Sequence, residues 1–162
     1  MKIILSLLVL FSLQAWSDEY CPSRGDAGEV CRLLNVERAQ YGLTPLRLSK
    51  ALTHMAQEWS NHLQSTDPRL SIKLTGHDGF HTRRLPYGAL AENVSFRGVG
   101  VGNRPADIVR GLMNSPGHRA NILNPSYTRV GLGRADTARS SYWTQEFGTG
   151  NSIRVAYKQF GD

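Results

Sequence analysis

Two hydrophobic periodicities follow one another along the chain, and their order limits the folds that it can adopt. Up to about residue 123 the apolar residues recur at helical spacing, as in the set Leu52, Met55, Ala56, Trp59 and Leu63, which share one face of a helix. From residue 128 onward three β-type runs follow, separated by polar segments: TRVGLGRA, SYWTQEF and SIRVAYKQF. Helices that precede strands predict an α+β fold built in layers and argue against a parallel βαβ fold.

Helix-start signals predict four helices. The first follows a cap at Asp26 and ends near Tyr41, with Val30, Leu33, Leu34 and Tyr41 on its apolar side. The other three start signals are a serine cap, a proline in a first turn, and a serine cap followed by proline at the first helical position: Ser49, Pro105 and Ser115-Pro116.

Two glycines mark the first β-type run. Gly131 and Gly133 predict either a close approach of a helix to the strand or a bulge. No repeat, low-complexity tract or linker interrupts the chain, which predicts a single domain.

The first 17 residues, MKIILSLLVLFSLQAWS, have the pattern of a signal peptide. Lys2 precedes an apolar run, and the small residues Ala15 and Ser17 favour cleavage after Ser17. The run is shorter than the ~20 residues that span a bilayer, and no second apolar stretch follows. Cys21 lies too far beyond the cleavage site to carry a lipid. The sequence therefore predicts a soluble protein, secreted or periplasmic, in which residues 18–162 form one domain.

The chain has two cysteines, Cys21 and Cys31. In an exported protein an even pair predicts a disulfide, here one that ties the leading segment to the first helix. Metal binding by two lone cysteines at this spacing is much less favoured.

Arginine dominates the basic residues, with 15 of the 19. Without Lys2 the mature chain would have 18 basic and 13 acidic residues, a formal net charge of +5. Because the arginines are scattered, a solvated basic surface is the simplest interpretation, and attraction to anionic cell-wall polymer or lipid head groups is the alternative. Nucleic acid is discounted as a partner, since no basic-aromatic alternation or recognition-helix pattern is present.

Residues 91–125 contain two compact polar motifs, Ala-Glu-Asn around Glu92 and Ser-Pro-Gly-His-Arg around His118. A Gly-His-Asp-Gly-Phe motif with His77 lies upstream. This order of motifs, with a short amphipathic helix between the last two, resembles the CAP superfamily (the cysteine-rich secretory, antigen 5 and pathogenesis-related 1 proteins) in its bacterial form. The resemblance covers roughly residues 30–147. It implies a three-layer α-β-α sandwich in which helices cover both faces of an antiparallel sheet.

The resemblance also implies a cleft in which two histidines and two acidic side chains converge. His77 and His118 correspond to the histidines, which in several family members bind a divalent cation such as zinc, and Glu92 corresponds to the first acid and is the candidate catalytic base. Two neutral imidazoles leave coordination positions open on a zinc-like ion, and a carboxylate can orient bound water. Where eukaryotic members have the second glutamate, this chain has Asn114 and Ser115, so the site is short of one carboxylate.

Three further histidines compete for roles. His81 is the rival of His77 as first cleft histidine, although His77 fits the family pattern better. His54, Glu58 and His62 occur at i, i+4 and i+8 in the second helix, a spacing that could align ligands. Their directions lie far from the centre of the apolar stripe, which predicts an exposed polar face.

The polar residues around the cleft admit more than one interpretation. Glu92 and His118 could instead form a buried hydrogen-bonded pair that ties the helix to an Ala-Glu-Asn loop. Asn93 is expected to bond loop backbone, as Asn often does in turns. Gln145 and Glu146 are neighbours in a β-type run, so only one of them can face the cleft, and Gln145 is favoured.

Three functions remain open from the sequence. The first is a monomeric binding module that holds a cation and an unidentified extracellular or envelope ligand. The second is a metal-assisted hydrolase with Glu92 as base, and the third is a sterol or lipid carrier. Ser115 is a poor nucleophile candidate, because an N-cap position should engage its hydroxyl with helix backbone.

Overall fold

The computed structural model describes residues 20–22, 24–66, 90–98 and 101–150. Within these ranges it has four helices: α1 (Gly25–Gln40), α2 (Lys50–Thr66), α3 (Pro105–Met113) and α4 (Pro116–Ile122). Four strands accompany them: β1 (Arg47–Leu48), β2 (Leu90–Gly98), β3 (Arg129–Asp136) and β4 (Ser140–Gly148). The predicted signal peptide, the β-type run at 152–160, His77 and His81 lie outside the described residues.

All four predicted helices are present, and Val30 and Leu34 are buried in α1 as predicted, but the predicted cap at Asp26 and the predicted apolar position of Tyr41 were wrong. Arg24 is its N-cap residue, and Asp26 lies in the first turn, where a carboxylate interacts favourably with the helix dipole. Tyr41 lies just beyond the helix and is 50% exposed. Besides the predicted Val30 and Leu34, the buried side includes Gly28, Cys31 and Arg38, because this row packs against α3 and β3.

The described strands form one sheet in the order β1-β3-β4-β2. β4 pairs antiparallel with both β3 and β2, and the two-residue β1 pairs parallel with β3, so the sheet is mixed at that edge. The Ala-Glu-Asn motif belongs to β2, and its prediction as a loop was wrong. Residues 91–95 are all buried, so the strand lacks the alternation of polar and apolar residues that marks a half-exposed strand.

Helices cover both faces of the sheet, which gives the predicted three-layer α-β-α sandwich. α2 packs on β3 and β4 from one side, and α1, α3 and α4 lie on the other. The larger core lies on the side of α1 and includes Trp143 and Phe147 of β4. The smaller core lies under α2, where Val94 and Tyr142 meet Leu63.

The close packing of α2 on β3 depends on two glycines. A Cβ atom on Gly131 would overlap the backbone of Leu52 and Thr53, and one on Gly133 would overlap the carbonyl of Ala56. The first of the two predicted roles is therefore confirmed: these glycines let the helix backbone approach the strand. The obstacle is backbone, so it cannot be relieved by a side-chain rotation.

We expect Gly131→Ala to destabilise the protein by at least about 1–3 kcal/mol, the usual cost of overpacking a core. The free energy of unfolding from urea titration measures the loss. Gly117→Ala is the matched control, because no atom lies within 4 Å of a Cβ built on Gly117 in α4. It should leave stability unchanged or raise it, since alanine favours a helix over glycine. Equal losses in both variants would contradict this account of the packing.

The predicted disulfide is present at the beginning of the described chain. Cys21 and Cys31 are bonded, with their Cα atoms 5.8 Å apart, and both are fully buried. It ties the segment before α1 to the second turn of that helix. No helix in the part of the chain that the structure describes is both long enough and apolar enough to cross a membrane.

Candidate functional site

Asn93 is the centre of a buried hydrogen-bond network that joins β2 to α4. It is fully buried, and its Nδ2 donates to the backbone carbonyl of His118 at 3.1 Å and to Oε1 of Gln145 at 3.0 Å. Its Oδ1 accepts a hydrogen bond from Nδ2 of Asn121 at 2.9 Å. Nδ2 of Asn121 also contacts the carbonyl of Glu92 at 3.3 Å. Asn93 was expected to bond loop backbone; it bonds backbone, but in helix α4 and not in a loop, and its other partners are side chains.

Gln145 lies on the same face of the sheet as Asn93. The two residues are direct partners in the antiparallel pairing of β2 with β4, and Gln145 is 2% exposed. Nε2 of Gln145 has no hydrogen-bond partner among the described residues. Gln145, the residue favoured over Glu146, therefore lies on the side of the sheet that faces α4.

Glu92 and Glu146 form the next pair along the same two strands. Because side chains alternate along a strand, both carboxylates lie on the opposite face, toward α2. Glu92 is 6% exposed and Glu146 is fully buried. The Glu92 carboxylate and the Asn93 amide thus leave β2 on different sides.

His118 lies in the first turn of α4 and is half-buried. Ser115 is the N-cap residue of this helix and Pro116 its first residue, as predicted, but the Ser115 hydroxyl makes no capping hydrogen bond. The argument that capping occupies this hydroxyl was therefore wrong. Asn114 is the C-cap residue of α3 and is exposed, so it is part of the turn between the two helices.

A buried arginine holds the segment that follows α4. Arg38 of α1 is fully buried, and its guanidinium donates to four backbone carbonyls, at 2.7–3.1 Å: those of Thr44, Ile122, Asn124 and Tyr127. Burial lowers the pKa of Arg38 from its ordinary value, but an arginine keeps its charge throughout the physiological range. Sequence reasoning missed Arg38. Its spacing of four residues from Leu34 and eight from Val30 was the available signal that it lies on the buried side.

The histidine pattern of α2 is exposed, as predicted. The side chain of His54 is 74% exposed, and its Nδ1 lies 3.2 Å from Oε2 of Glu58. His62 is also exposed and stacks on Trp59, with ring centroids 4.8 Å apart. Within the described ranges no group of three His, Cys, Asp or Glu side chains is arranged to hold a metal ion.

Residues 31–147 match the family CAP, the cysteine-rich secretory protein family, over most of the described chain. The chain belongs to this family. The match begins at the second disulfide cysteine, Cys31, in α1 and ends at Phe147, in the last residues of β4. It therefore includes part or all of every helix and strand described above.

This CAP domain is similar to several bacterial proteins. It is 32% identical over 122 residues to the uncharacterized protein YkwD of Bacillus subtilis. The matched region covers 74% of this chain and 45% of YkwD. The chain thus spans less than half of that relative. An outer surface protein of Borrelia burgdorferi has a similar fold, with a TM-score of 0.61, 19% identity, and coverage of 78% of this chain and 93% of that one. So does an extracellular SCP-domain protein of Bacillus anthracis, with a TM-score of 0.59, 22% identity, and coverage of 78% and 41%.

We expect Asn93→Ala to destabilise the CAP domain by about 2 kcal/mol or more. The substitution leaves the His118 carbonyl and Oε1 of Gln145 without this donor, and each buried polar group left unpaired costs about 1–3 kcal/mol. Urea unfolding measures the change. Asn61→Ala is the control, because Asn61 is exposed and, within the part of the chain that the structure describes, accepts a single hydrogen bond from Gln57, at 2.9 Å. It should change stability by no more than about 0.5 kcal/mol, and an equal change in both variants would contradict the role of the network.

Proposed function

We propose that this CAP domain is an exported binding module whose cleft holds a divalent cation through His77 and His118, with Glu92 beside them. The observation that carries the proposal is the way in which α4 is held. The backbone at His118 is bonded to β2 by the buried Asn93, yet the histidine itself is only half-buried. A histidine whose backbone is fixed loses less freedom when it binds a ligand.

The residue types fit a zinc-like cation. Imidazole nitrogen and carboxylate oxygen are both zinc ligands, and a nearby carboxylate can alternatively orient a bound imidazole or water. β2 is at the edge of the described sheet, so a carboxylate on the α2 face and a histidine on the α4 face border the same edge. His77 belongs to residues 67–89, which connect α2 to β2 along the chain. When bound, the cation would supply open coordination positions for an anionic or carbonyl ligand.

Binding is favoured over hydrolysis by the residues that this chain has in place of the second acid of the family's cleft. Asn114 and Ser115 stand where eukaryotic members have a second glutamate, and neither an amide nor a hydroxyl replaces a carboxylate as a general base. Glu92 is then left as the candidate base of the cleft. The metal-assisted hydrolase is an outcome that the following experiment can distinguish.

We expect His77→Ala and His118→Ala each to lower zinc affinity by at least about tenfold in isothermal titration calorimetry, because each removes one ligand. Glu92→Gln should lower the affinity by about 10–100-fold, the usual effect of a residue that supports a ligand. Zinc affinity of the wild type should fall as the pH drops below about 6.5, where free imidazole takes up a proton.

His54→Ala and His81→Ala are the matched controls. The side chain of His54 is exposed on α2, and α2 and α4 cover opposite faces of the sheet, so the His54→Ala variant should bind zinc as the wild type does. His81→Ala should also bind normally, and a loss in this variant with none in His77→Ala would assign the first ligand to His81. Unchanged affinity in every variant would overturn the metal site. Zinc-dependent cleavage of a casein substrate that is lost in Glu92→Gln would favour the hydrolase.

The compartment is the second part of the proposal. The Cys21–Cys31 disulfide supports export, because such bonds persist in oxidising compartments. The similar structures from Borrelia burgdorferi and Bacillus anthracis are an outer surface protein and an extracellular protein. Residues 1–17 would then be the signal peptide.

We expect the exported protein to begin at or near Asp18. N-terminal sequencing of the protein recovered from the periplasm or medium checks the cleavage site. Retention of the apolar run, or a lipid on Cys21, would contradict this prediction.

A further inference from the structure

A basic cleft lies at the end of the sheet opposite to Glu92. Its volume is about 410 Å³, and its polar lining includes Arg97, Asn103, Arg134, Asp136, Arg139 and Ser141. Arg97 is five residues beyond Glu92 in β2, so roughly 17 Å separates the two backbone positions. The cleft is therefore distinct from the proposed cation site.

Strand pairing brings these side chains onto one face. Ser141 of β4 pairs with Arg97 of β2 on one side and with Asp136 of β3 on the other. Nδ2 of Asn103 donates to the Ser141 hydroxyl at 2.5 Å, and the hydroxyl donates to Oδ1 of Asp136 at 2.5 Å. Arg139 reaches the same cleft from the turn between β3 and β4. The floor of the cleft is thus a fixed polar row.

One of the three arginines is already neutralised. Arg134 forms ion pairs with Asp136, at 2.9 Å, and with Asp26, and its guanidinium lies 4.9 Å from the ring centroid of Trp143. It therefore holds the acidic side chain of the cleft in place. No carboxylate in the described part of the chain pairs with Arg139.

Arg97 is held by backbone and not by a counter-ion. Its Nη2 lies 3.4 Å from the carbonyl of Asp107, and its Nε is buried with no hydrogen-bond partner among the described residues. The carboxylate of Asp107 is occupied by Arg104, at 3.0 Å, and Arg110, at 2.5 Å, and the hydrogen bond from Arg104 lowers the pKa of that carboxyl.

Gly111 of α3 makes the room for Arg97. A Cβ atom built on Gly111 would overlap the Arg97 guanidinium. The arginine is therefore seated in a gap between β2 and α3, where it is half-buried and lines the cleft. A half-buried charge without an acidic partner among the described residues interacts more strongly with an incoming anion than a fully solvated charge does.

We propose that this cleft binds a phosphate or phosphodiester group through Arg97 and Arg139. Two arginines that lack carboxylate partners in the described chain match a group with several acceptor oxygens and up to two negative charges, and guanidinium forks bind phosphate in two-pronged geometry. A single carboxylate offers only two oxygens and one charge. The phosphate could belong to a soluble molecule or to a lipid head group, and the two sources can be separated by experiment.

Sodium tripolyphosphate is the soluble probe, titrated into the purified protein by calorimetry at low ionic strength. We expect saturable binding that weakens with added salt, and a loss of roughly tenfold in affinity for both Arg97→Gln and Arg139→Gln. Arg129→Gln is the matched control, because it removes the same charge from the other end of β3. It should bind as the wild type does.

Gly111→Ala tests the same site with no change in net charge. The added methyl group should displace the Arg97 side chain and weaken tripolyphosphate binding about as much as Arg97→Gln does. Circular-dichroism melting checks that each variant is folded. If Gly111→Ala or Arg97→Gln does not fold, the test rests on Arg139→Gln, because Arg139 lies at an exposed turn position that tolerates substitution. An equal loss in Arg129→Gln, or no saturable binding by the wild type, would overturn the proposal.

Vesicles of equimolar phosphatidylcholine and phosphatidylglycerol form the second arm. Sedimentation of the protein with these vesicles, abolished in Arg139→Gln and not in Arg129→Gln, would assign the phosphate to a lipid head group. Tripolyphosphate binding without sedimentation would assign it to a soluble phosphate. Sedimentation that responds equally to both substitutions would reduce the site to general charge attraction and overturn the proposal.

Discussion

The buried guanidinium of Arg38 is the interaction on which the arrangement of the helices depends. One side chain from α1 binds the carbonyl of Thr44 before β1, the carbonyl of Ile122 at the end of α4, and the carbonyls of Asn124 and Tyr127 between α4 and β3. These carbonyls have no regular strand or helix partner at this point, so the arginine replaces the hydrogen bonds that secondary structure would otherwise supply. A buried charge of this kind is tolerated only because so many donors are satisfied at once, and its removal would leave several backbone groups unpaired in the core.

The consequence reaches the candidate site through α4. This helix has only seven residues, so its own hydrogen bonds could not hold it in a fixed position. Arg38 holds its C-terminal end, and the Asn93 network holds its N-terminal turn at the His118 carbonyl. His118 is therefore carried by a short helix that is bonded at both ends.

The paired strands β2 and β4 place their polar residues on two different faces of the sheet. Asn93 and Gln145 lie on the face toward α4 and serve its position, whereas Glu92 and Glu146 lie on the face toward α2. At the far end of the same strand, Arg97 lies beside α3 and belongs to the basic cleft. The proposed cation site and the basic cleft thus lie at opposite ends of the sheet. Between them, Gly133 lets the backbone of α2 pack closely against β3.

The sequence alone determined the layer order, the four helices, two of the strands, the disulfide and the family, because each of these depends on local spacing or on a short motif. The apolar residues of 52–63 repeat at helical spacing, and Pro105 and Ser115-Pro116 are local signals of a helix start, where proline is enriched. Only the tertiary structure decided that the Ala-Glu-Asn motif is a strand, since covering helices on both faces remove the alternation that would have marked it. It also decided that Arg38 is buried and that Arg97 and Arg139 share a cleft. The helical spacing of Arg38 from Val30 and Leu34 indicates which side of α1 it lies on, but not the carbonyls that it binds more than 80 residues away. Arg97 and Arg139 are likewise 42 residues apart, and local periodicity does not identify contacts at such separations.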